Sequence, residues 1–272
     1  NGFQKFKCTI FFYNYYTWKR EKTLKGKVTV IGLGPGDKNI MTNEVKTAIS
    51  NATNIIGYST YLSRIKKRKG LSFYPSDNKE EFKRAEMAFE LALNNKNVLV
   101  VSSGDPGIFA MATVIFEAMD NGPQRWKDIE VEILPGISSM LAASARIGAP
   151  LGHDFCVINL SNNLKPWEII EKRVRAAIDC DLVMAIYNPR SKSRPNCFLN
   201  FLNILKETCE GNRLIIFARA VTTIKEKIEI VELKDAHPEM ADMQTIVIIG
   251  STQSKLVSNK DRKFCYTPRS IF

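Results

Sequence analysis

The chain has 272 residues, of which 44% are hydrophobic and 25% charged, and these ordinary values exclude a globally disordered protein. An excess of 39 Lys and Arg over 28 Asp and Glu gives a net charge of +11. This charge indicates an anionic partner without distinguishing nucleic acid, a membrane surface and a polyanionic small molecule. Six cysteines without a CxxC pair, and only two histidines, argue against a zinc module and a disulfide framework. We therefore expect a reduced, cytoplasmic enzyme without a metal site.

The first 25 residues differ in composition from the rest of the chain. Residues 1–26 carry five of the eleven net positive charges. They also hold eight of the chain's aromatic residues, which number 15 Phe, 8 Tyr and 3 Trp in all. Their apolar run is interrupted well short of the ~20 residues that a membrane helix needs, and no secretory signal is readable. We treat residues 1–25 as an extension of unknown role and predict no membrane partner.

From residue 27 onward, short apolar runs alternate with helical stretches, a pattern typical of an α/β fold with a largely parallel sheet. Strands are predicted at 28–33, 54–57, 98–102 and 129–134, and helices near 42–52, 79–95 and 107–120. These elements define a predicted first α/β domain at residues 26–136.

A second series of elements begins after the Pro-Gly pair at 135–136. The predictions are helices at 137–147, 166–178 and 196–208, strands at 155–160, 182–187, 213–218 and 244–249, and an antiparallel strand at 226–233. They define a second α/β domain at 137–270. Because no low-complexity linker separates the two domains, we expect them to pack together around a cleft that binds a small ligand.

Three glycine turns follow predicted strands of the first domain, at residues 32–37, 102–109 and 135–139. The first turn lacks the third glycine and the distant acid of a nicotinamide site, and it lacks the Gly-Lys-Ser/Thr ending of a P-loop. In the second turn, Asp105 could cap the following helix or bind a ligand hydroxyl. Turns at the carboxyl ends of strands in one sheet share an edge, so we expect the three to line one ligand site.

A dense basic run comprises Arg64, Arg68 and the lysines 66, 67 and 69. It is either a solvated loop or a binding patch, and the solvated loop is the favoured interpretation.

The three turns, in their order and spacing, resemble the tetrapyrrole methylases, in which S-adenosylmethionine lies between two α/β domains. The resemblance covers about residues 26–270. Further segments resemble the branch of this family that methylates ring carbon C17 of precorrin-3B and contracts the ring, namely residues 57–61, 148–155, 160–161, 166–168, 187–191 and 266–269.

The resemblance implies a methyltransferase of cobalamin biosynthesis with S-adenosylmethionine as cofactor, a tetrapyrrole as substrate and a homodimeric state. Carried over residue by residue, the implied cofactor-binding residues are Pro35, Gly104, Asp105, Ile108, Ser138, Ser139, Tyr187, Ala220 and Thr245. The candidate substrate-binding residues are Asp154, Asn188, Arg190, Arg194 and Arg219. Arginine and lysine side chains suit the carboxylates of such a substrate.

Ring contraction moves protons and therefore suggests a general acid or base. His153 is the first candidate because Asp154 beside it can tune an imidazole near neutrality. Tyr187 is the second candidate, since its phenol could donate to the macrocycle or line the cofactor site. Asp105 is a third candidate, with helix capping as its alternative role.

The sequence departs from the family pattern at Asn162, where an acid is common, and at Thr222 and Thr223, which replace a Gly-Arg pair. These departures put the substrate contacts of the second domain in doubt.

One alternative function is a sister methylase acting at another ring position. Another is an RNA-directed methylase or nucleic-acid binder, which only the basic run and the aromatic extension favour.

Overall fold

The computed structural model describes residues 26–270, so the extension at 1–25 lies outside the described residues. A parallel five-stranded sheet has the strand order β3-β2-β4-β1-β5. Its strands are β1 (Lys27–Gly32), β2 (Asn54–Tyr58), β3 (Ser72–Ser76), β4 (Val98–Ser102) and β5 (Glu130–Leu134). Every residue of β4 is buried, as the near-continuous apolar run of a two-sided parallel strand requires.

Four helices follow strands of this sheet. They are α1 (Asn43–Asn51), α2 (Ser59–Leu62), α3 (Glu81–Leu93) and α4 (Met111–Asn121). Alternate strand residues enter separate cores on the two faces, with Val30 packing in the cluster of α3 and α4 and Ile31 in that of α1 and α2. On the first of these faces Phe89 stacks on Trp126, with ring centroids 5.1 Å apart. The predicted parallel sheet with helices packed on it is confirmed, and the structure adds that a helix layer lies on each of its faces.

The second sheet also has five strands, in the order β10-β9-β11-β8-β7, but only β7 and β8 are parallel. In chain order, its elements and their neighbours are α5 (Ser139–Ile147), β6 (Gly148–Ala149), β7 (Phe155–Asn159), α6 (Trp167–Asp179), β8 (Val183–Tyr187), α7 (Cys197–Thr208), β9 (Leu214–Arg219), β10 (Lys227–Glu232) and β11 (Thr245–Ile249). The predicted antiparallel strand is confirmed as β10. Because β11 runs opposite to β8 and β9, its first residue, Thr245, lies beside the last residue of β9, Arg219.

Several short or exposed elements were not predicted from the sequence. Edge strand β3 contains Pro75, which lacks an amide for the sheet. A hairpin of β12 (Lys255–Asn259) and β13 (Arg262–Tyr266) pairs with β6 in a third sheet. Helix α4 begins at Met111 rather than at residue 107, because residues 103–110 form a loop of turns and bends.

The core of the second unit lies between its sheet and helices α6 and α7. Phe198 is fully buried there, stacked on Phe201 and edge-on to Phe217. Within residues 26–270, no helix combines the length and the apolar character needed to cross a bilayer. The cysteines at 156, 180, 197, 209 and 265 are free thiols.

Candidate active site

The three glycine turns meet at the carboxyl ends of β1, β4 and β5, which confirms the predicted shared edge. Gly34 and Gly104 exchange two backbone hydrogen bonds of 3.1 Å each, and both have left-handed φ values, +71° and +59°. A Cβ at Gly136 would lie 2.1 Å from the Gly104 carbonyl oxygen and 2.7 Å from that of Gly32. Side chains are thus excluded, and the main chain itself forms this surface.

Asp105 connects the second and third turns. Its Oδ1 accepts from the Gly107 amide at 2.8 Å and its Oδ2 from the Gly136 amide at 3.0 Å. The predicted cap of α4 by Asp105 is wrong, because Ala110 occupies the N-cap position. Each carboxylate oxygen retains a lone pair, so Asp105 can fix the turns and still accept from a ligand hydroxyl.

The third turn ends at the N-terminus of α5, where Ser138 is the N-cap residue. Ser138 is only 2% exposed, and its Oγ has no hydrogen-bond partner. A buried hydroxyl without a partner is unfavourable by roughly 1–3 kcal/mol. The neighbouring helix terminus also presents free amides. This part of the site therefore suits a polar ligand group.

Tyr187, the last residue of β8, brings the second unit to the same place. Its hydroxyl accepts from the Met140 amide at 3.3 Å, and its ring lies edge-on to Phe109 at 5.6 Å. Phe109 belongs to the loop after β4 and has a φ of +52°. Because the hydroxyl accepts from Met140, its own proton stays available to another acceptor.

Two strands of the second sheet, β8 and β9, are each followed by a non-glycine residue with left-handed backbone. Asn188 and Ala220 have φ values of +52° and +47°. The Asn188 side chain donates to Asn159 Oδ1 at 3.1 Å, and the Ala220 amide donates to the Gln244 carbonyl at 2.8 Å. Non-glycine residues persist in this conformation when their surroundings over-determine them, which is frequent at ligand sites.

Three arginines lie on the segments at this edge. Arg194 donates to the Asn188 carbonyl at 3.3 Å, and its buried Nε has no partner. Arg190 donates to the Pro238 carbonyl at 3.0 Å. Arg219, whose Nε donates to Asp242 at 2.8 Å, lines a cavity of about 410 Å³ together with Lys227 and His237.

Asp242 holds Arg219 and the start of β11 together. Its Oδ1 accepts from the Thr245 hydroxyl and from the Gln244 amide, both at 2.8 Å. Partial burial raises the pKa of this carboxyl, but the hydrogen bonds from Thr245, Gln244 and Arg219 outweigh burial and leave the pKa below its ordinary value.

His153 and Asp154 do not join this edge. They precede β7, whereas Tyr187 ends the parallel neighbouring strand β8, so the length of a strand separates them, about 13 Å at ~3.3 Å per residue. His153 Nδ1 accepts from the Asp154 amide at 2.7 Å. The Asp154 side chain is 86% exposed. The structure therefore gives neither residue a contact with the cleft within one chain.

The two arginines of the basic run bind backbone carbonyls. Arg64 donates to the carbonyls of Leu33 and Gly34 at 3.0 Å and to that of Gly36 at 3.2 Å. Arg68 donates to three carbonyls around the end of α1. The run is thus neither a simple solvated loop nor a free basic patch. The sequence offered no signal for the role of Arg64, because its partners are main-chain atoms 28 to 31 residues away.

A family model described as "Tetrapyrrole (Corrin/Porphyrin) Methylases" matches residues 27–237. The chain belongs to this family. The enzyme is therefore a methyltransferase that uses S-adenosylmethionine, as its sequence implies. Two observations fit that donor, namely the glycine-lined surface, which excludes side chains, and the unpartnered Ser138 hydroxyl. Among residues 26–270, no group of three or more His, Cys, Asp or Glu side chains could hold a metal ion.

Relatives cover most of the enzyme. A Sinorhizobium protein named precorrin-3B C(17)-methyltransferase is 44% identical over 90% of this chain and 97% of its own length. The Mycobacterium tuberculosis cobalamin biosynthesis protein CobIJ is 39% identical over 92% of this chain, which spans about half (49%) of that longer protein. A Salmonella typhimurium protein named probable cobalt-factor III C(17)-methyltransferase is 36% identical over 82% of this chain and 92% of its own length.

Solved structures agree with the fold. The crystal structure of the methyltransferase CobJ has a TM-score of 0.86 and 55% identity, covering 89% of this chain and all (100%) of that one. Uroporphyrin-III C-methyl transferase from Thermus thermophilus, complexed with S-adenosyl homocysteine, has a TM-score of 0.62 over 83% of this chain and 97% of that one. At its 16% identity, this second likeness concerns the fold alone.

Proposed function

We propose that the enzyme methylates carbon C17 of precorrin-3B, or of its cobalt-containing counterpart, and contracts the ring. The observation that carries the proposal is the meeting of the three glycine turns with Tyr187 at one edge of both sheets. Likeness over nearly the full length of a precorrin-3B C(17)-methyltransferase supports the choice of substrate and ring position.

The cleft between the loop after β4 and the edge of the second sheet suits a flat macrocycle with carboxylate arms. Phe109 and Met243 are each 50% exposed and offer apolar surface. Arg194 donates toward the Met243 sulfur at 3.6 Å, so a guanidinium lies directly beside that apolar surface. Arginine forks match carboxylates. The remaining net positive charge of residues 27–272 attracts a polyanionic substrate.

When bound, S-adenosylmethionine supplies an electrophilic methyl group on a sulfonium. The chain's task is to hold the reacting carbon in line with that group, and this positioning requires no nucleophilic side chain. The turns at Gly34, Gly104 and Gly136 would hold the donor. Tyr187 is the proposed proton donor for contraction, since its phenol lies at the cleft and its hydroxyl accepts rather than donates in the hydrogen bond with the Met140 amide. His153 is not proposed for that role, because it lies at the opposite edge of its sheet.

We further propose that the enzyme is a cytoplasmic homodimer. The free thiols at 156, 180, 197, 209 and 265 support a reducing compartment. Half-exposed apolar side chains on α3 and α4, namely Phe82, Met87 and Phe116, support an interface between two copies. Light scattering on the purified chain tests this state, and a monomer at micromolar concentration would contradict it.

The test of function is incubation with S-adenosylmethionine and either precorrin-3B or its cobalt form, followed by mass analysis for the added methyl group and NMR for its position and the ring skeleton. We expect one added methyl group and a contracted ring with one of the two substrates. Binding of S-adenosylhomocysteine without methylation of either substrate would contradict the proposed substrate, and methylation at another carbon would favour the sister-methylase alternative.

A further inference from the structure

The segment after β9, residues 220–226, lies against the first glycine turn and joins the two units. The Asp37 amide donates to Thr222 Oγ1 at 3.1 Å. A Cβ at Gly36 would lie 2.5 Å from Thr223 Cγ2 and 2.8 Å from Thr222 Oγ1. Residue 36 is therefore glycine because the two threonines of the second unit occupy the space that a side chain would need.

Thr222 has an unfavourable backbone conformation at this contact. Its φ is +68°, in the left-handed region that β-branched residues rarely adopt. The Thr222 amide donates to the Glu226 carboxylate, and the same Glu226 oxygen accepts from Arg146 Nε at 3.3 Å. Arg146 lies in the last turn of α5, the helix whose N-terminus faces the cleft. Thr222 is thus held by two elements while its hydroxyl faces the turn.

The opposite side of the same turn is held by Arg64. Its guanidinium binds the carbonyls of Leu33, Gly34 and Gly36, while Thr222 binds the amide of Asp37. Pro35, an implied cofactor contact, lies between these fixed points. The conformation of the turn therefore depends on one side chain from each unit.

We propose that Thr222 is a positioning residue whose hydroxyl, through the Asp37 amide, holds the first glycine turn in the conformation that binds S-adenosylmethionine. This role rests on the proposed function of the cleft. Binding of the cofactor and contact between the two units are then coupled, because the same turn serves both. Thr222 contacts neither the transferred methyl group nor the ring carbon that receives it. Loss of the Thr222 hydroxyl therefore lowers the affinity for the cofactor more than the rate of the chemical step.

Two substitutions separate the hydroxyl from the shape of the side chain. Thr222→Val removes the hydroxyl and keeps the β-branch, so the backbone strain is matched, whereas Thr222→Ser keeps the hydroxyl. Titration calorimetry of the full chain with S-adenosylhomocysteine measures the effect. We expect Thr222→Val to weaken binding by about five- to tenfold, as expected for one lost hydrogen bond, and Thr222→Ser to stay within about twofold of wild type. The melting temperature without ligand provides the second readout, since a merely structural role would lower it without changing the affinity.

Wild-type affinity in Thr222→Val would overturn the proposal, and so would an equal loss in Thr222→Ser. If Thr222→Val does not fold, Glu226→Gln weakens the support of the Thr222 amide, and unchanged affinity in that variant overturns the proposal as well. Failure of the wild-type chain to bind S-adenosylhomocysteine would contradict the proposed function of the cleft. If wild type and Thr222→Val bind S-adenosylhomocysteine equally well, only the role of Thr222 is contradicted and the proposed function of the cleft stands.

Discussion

At the scale of single residues, the site depends on side chains that hold backbone rather than on reactive groups. Asp105 joins two turns through the Gly107 and Gly136 amides. Arg64 and Thr222 hold the first turn. Methyl transfer to carbon needs such positioning more than it needs a nucleophile.

Asp105→Asn tests this use of a carboxylate. An amide offers one acceptor oxygen where the structure uses two, so its NH₂ would face a backbone N–H. We expect about a tenfold weaker affinity for S-adenosylhomocysteine, roughly 1.4 kcal/mol, in calorimetry. Asp120→Asn, at a side chain that is 84% exposed, is the matched control and should bind like wild type. Equal affinity in the two variants would show that Asp105 does not hold the turns.

His153→Ala tests the reassignment of the proton donor. Because His153 lies a strand length from Tyr187, we expect the variant to form methylated, contracted product at a rate within about threefold of wild type. Tyr187→Phe should instead lower product formation by about 100-fold, the lower range for one general acid. Mass analysis measures methylation in both variants, and NMR of the product shows whether the ring has contracted. Methylation without contraction in His153→Ala would return that role to the histidine.

The lowered pKa of Asp242 predicts a pH-dependent contribution to the stability of the fold. Its pKa is lowered in the folded state, so the stabilisation is present above the ordinary value near pH 4 and is lost as pH falls through the folded value. Because the side chain is 45% exposed, we expect less than ~1 kcal/mol. Urea unfolding should therefore give a higher free energy of unfolding for wild type than for Asp242→Asn at pH 7 and a smaller difference at pH 3. A difference that grows toward pH 3 would show that the charged form of Asp242 does not stabilise the folded chain.

At the scale of elements, alternation of apolar runs predicted the buried strands well, because residues such as Val98 to Val101 lie between two helix layers and must be apolar. Strand β3 and the hairpin of β12 and β13 were missed, since these strands are mostly exposed and mix polar with apolar residues, so they lack a continuous apolar run. The direction of β11 was not predictable either, because it depends on how the chain returns after β10.

Gly136→Ala tests the meeting of the turns. A Cβ there would collide with the carbonyl oxygens of Gly104 and Gly32, which are main-chain atoms that cannot move aside cheaply. We expect loss of S-adenosylhomocysteine binding and a free energy of unfolding lower by about 3 kcal/mol. Gly211→Ala is the control, since its Cβ would lie 3.8 Å from the nearest atom. Denaturant unfolding and calorimetry of the two variants should therefore differ, and equal behaviour would refute the packing argument.

At the scale of the whole molecule, the candidate site forms only when both units are folded and in contact. The sequence predicted the three turns and Tyr187, because glycines after strands and the family motifs are local signals. It could not predict that Thr222 contacts Asp37, because the two residues are 185 positions apart in the sequence. Nor could it predict that Arg64 binds the same turn, about 30 positions before it. Thr222 and Thr223, which depart from the family pattern, make a specific contact between the units rather than leaving a gap.

Locating the transferred methyl group on the product tests methyl transfer to C17. The purified chain is incubated with precorrin-3B, or its cobalt form, and S-adenosylmethionine that carries an isotopically labelled methyl group, and the labelled carbon is located by NMR. We expect a single label on C17 of a contracted ring. A label on another ring carbon, or no label from a protein that binds S-adenosylhomocysteine, would contradict it.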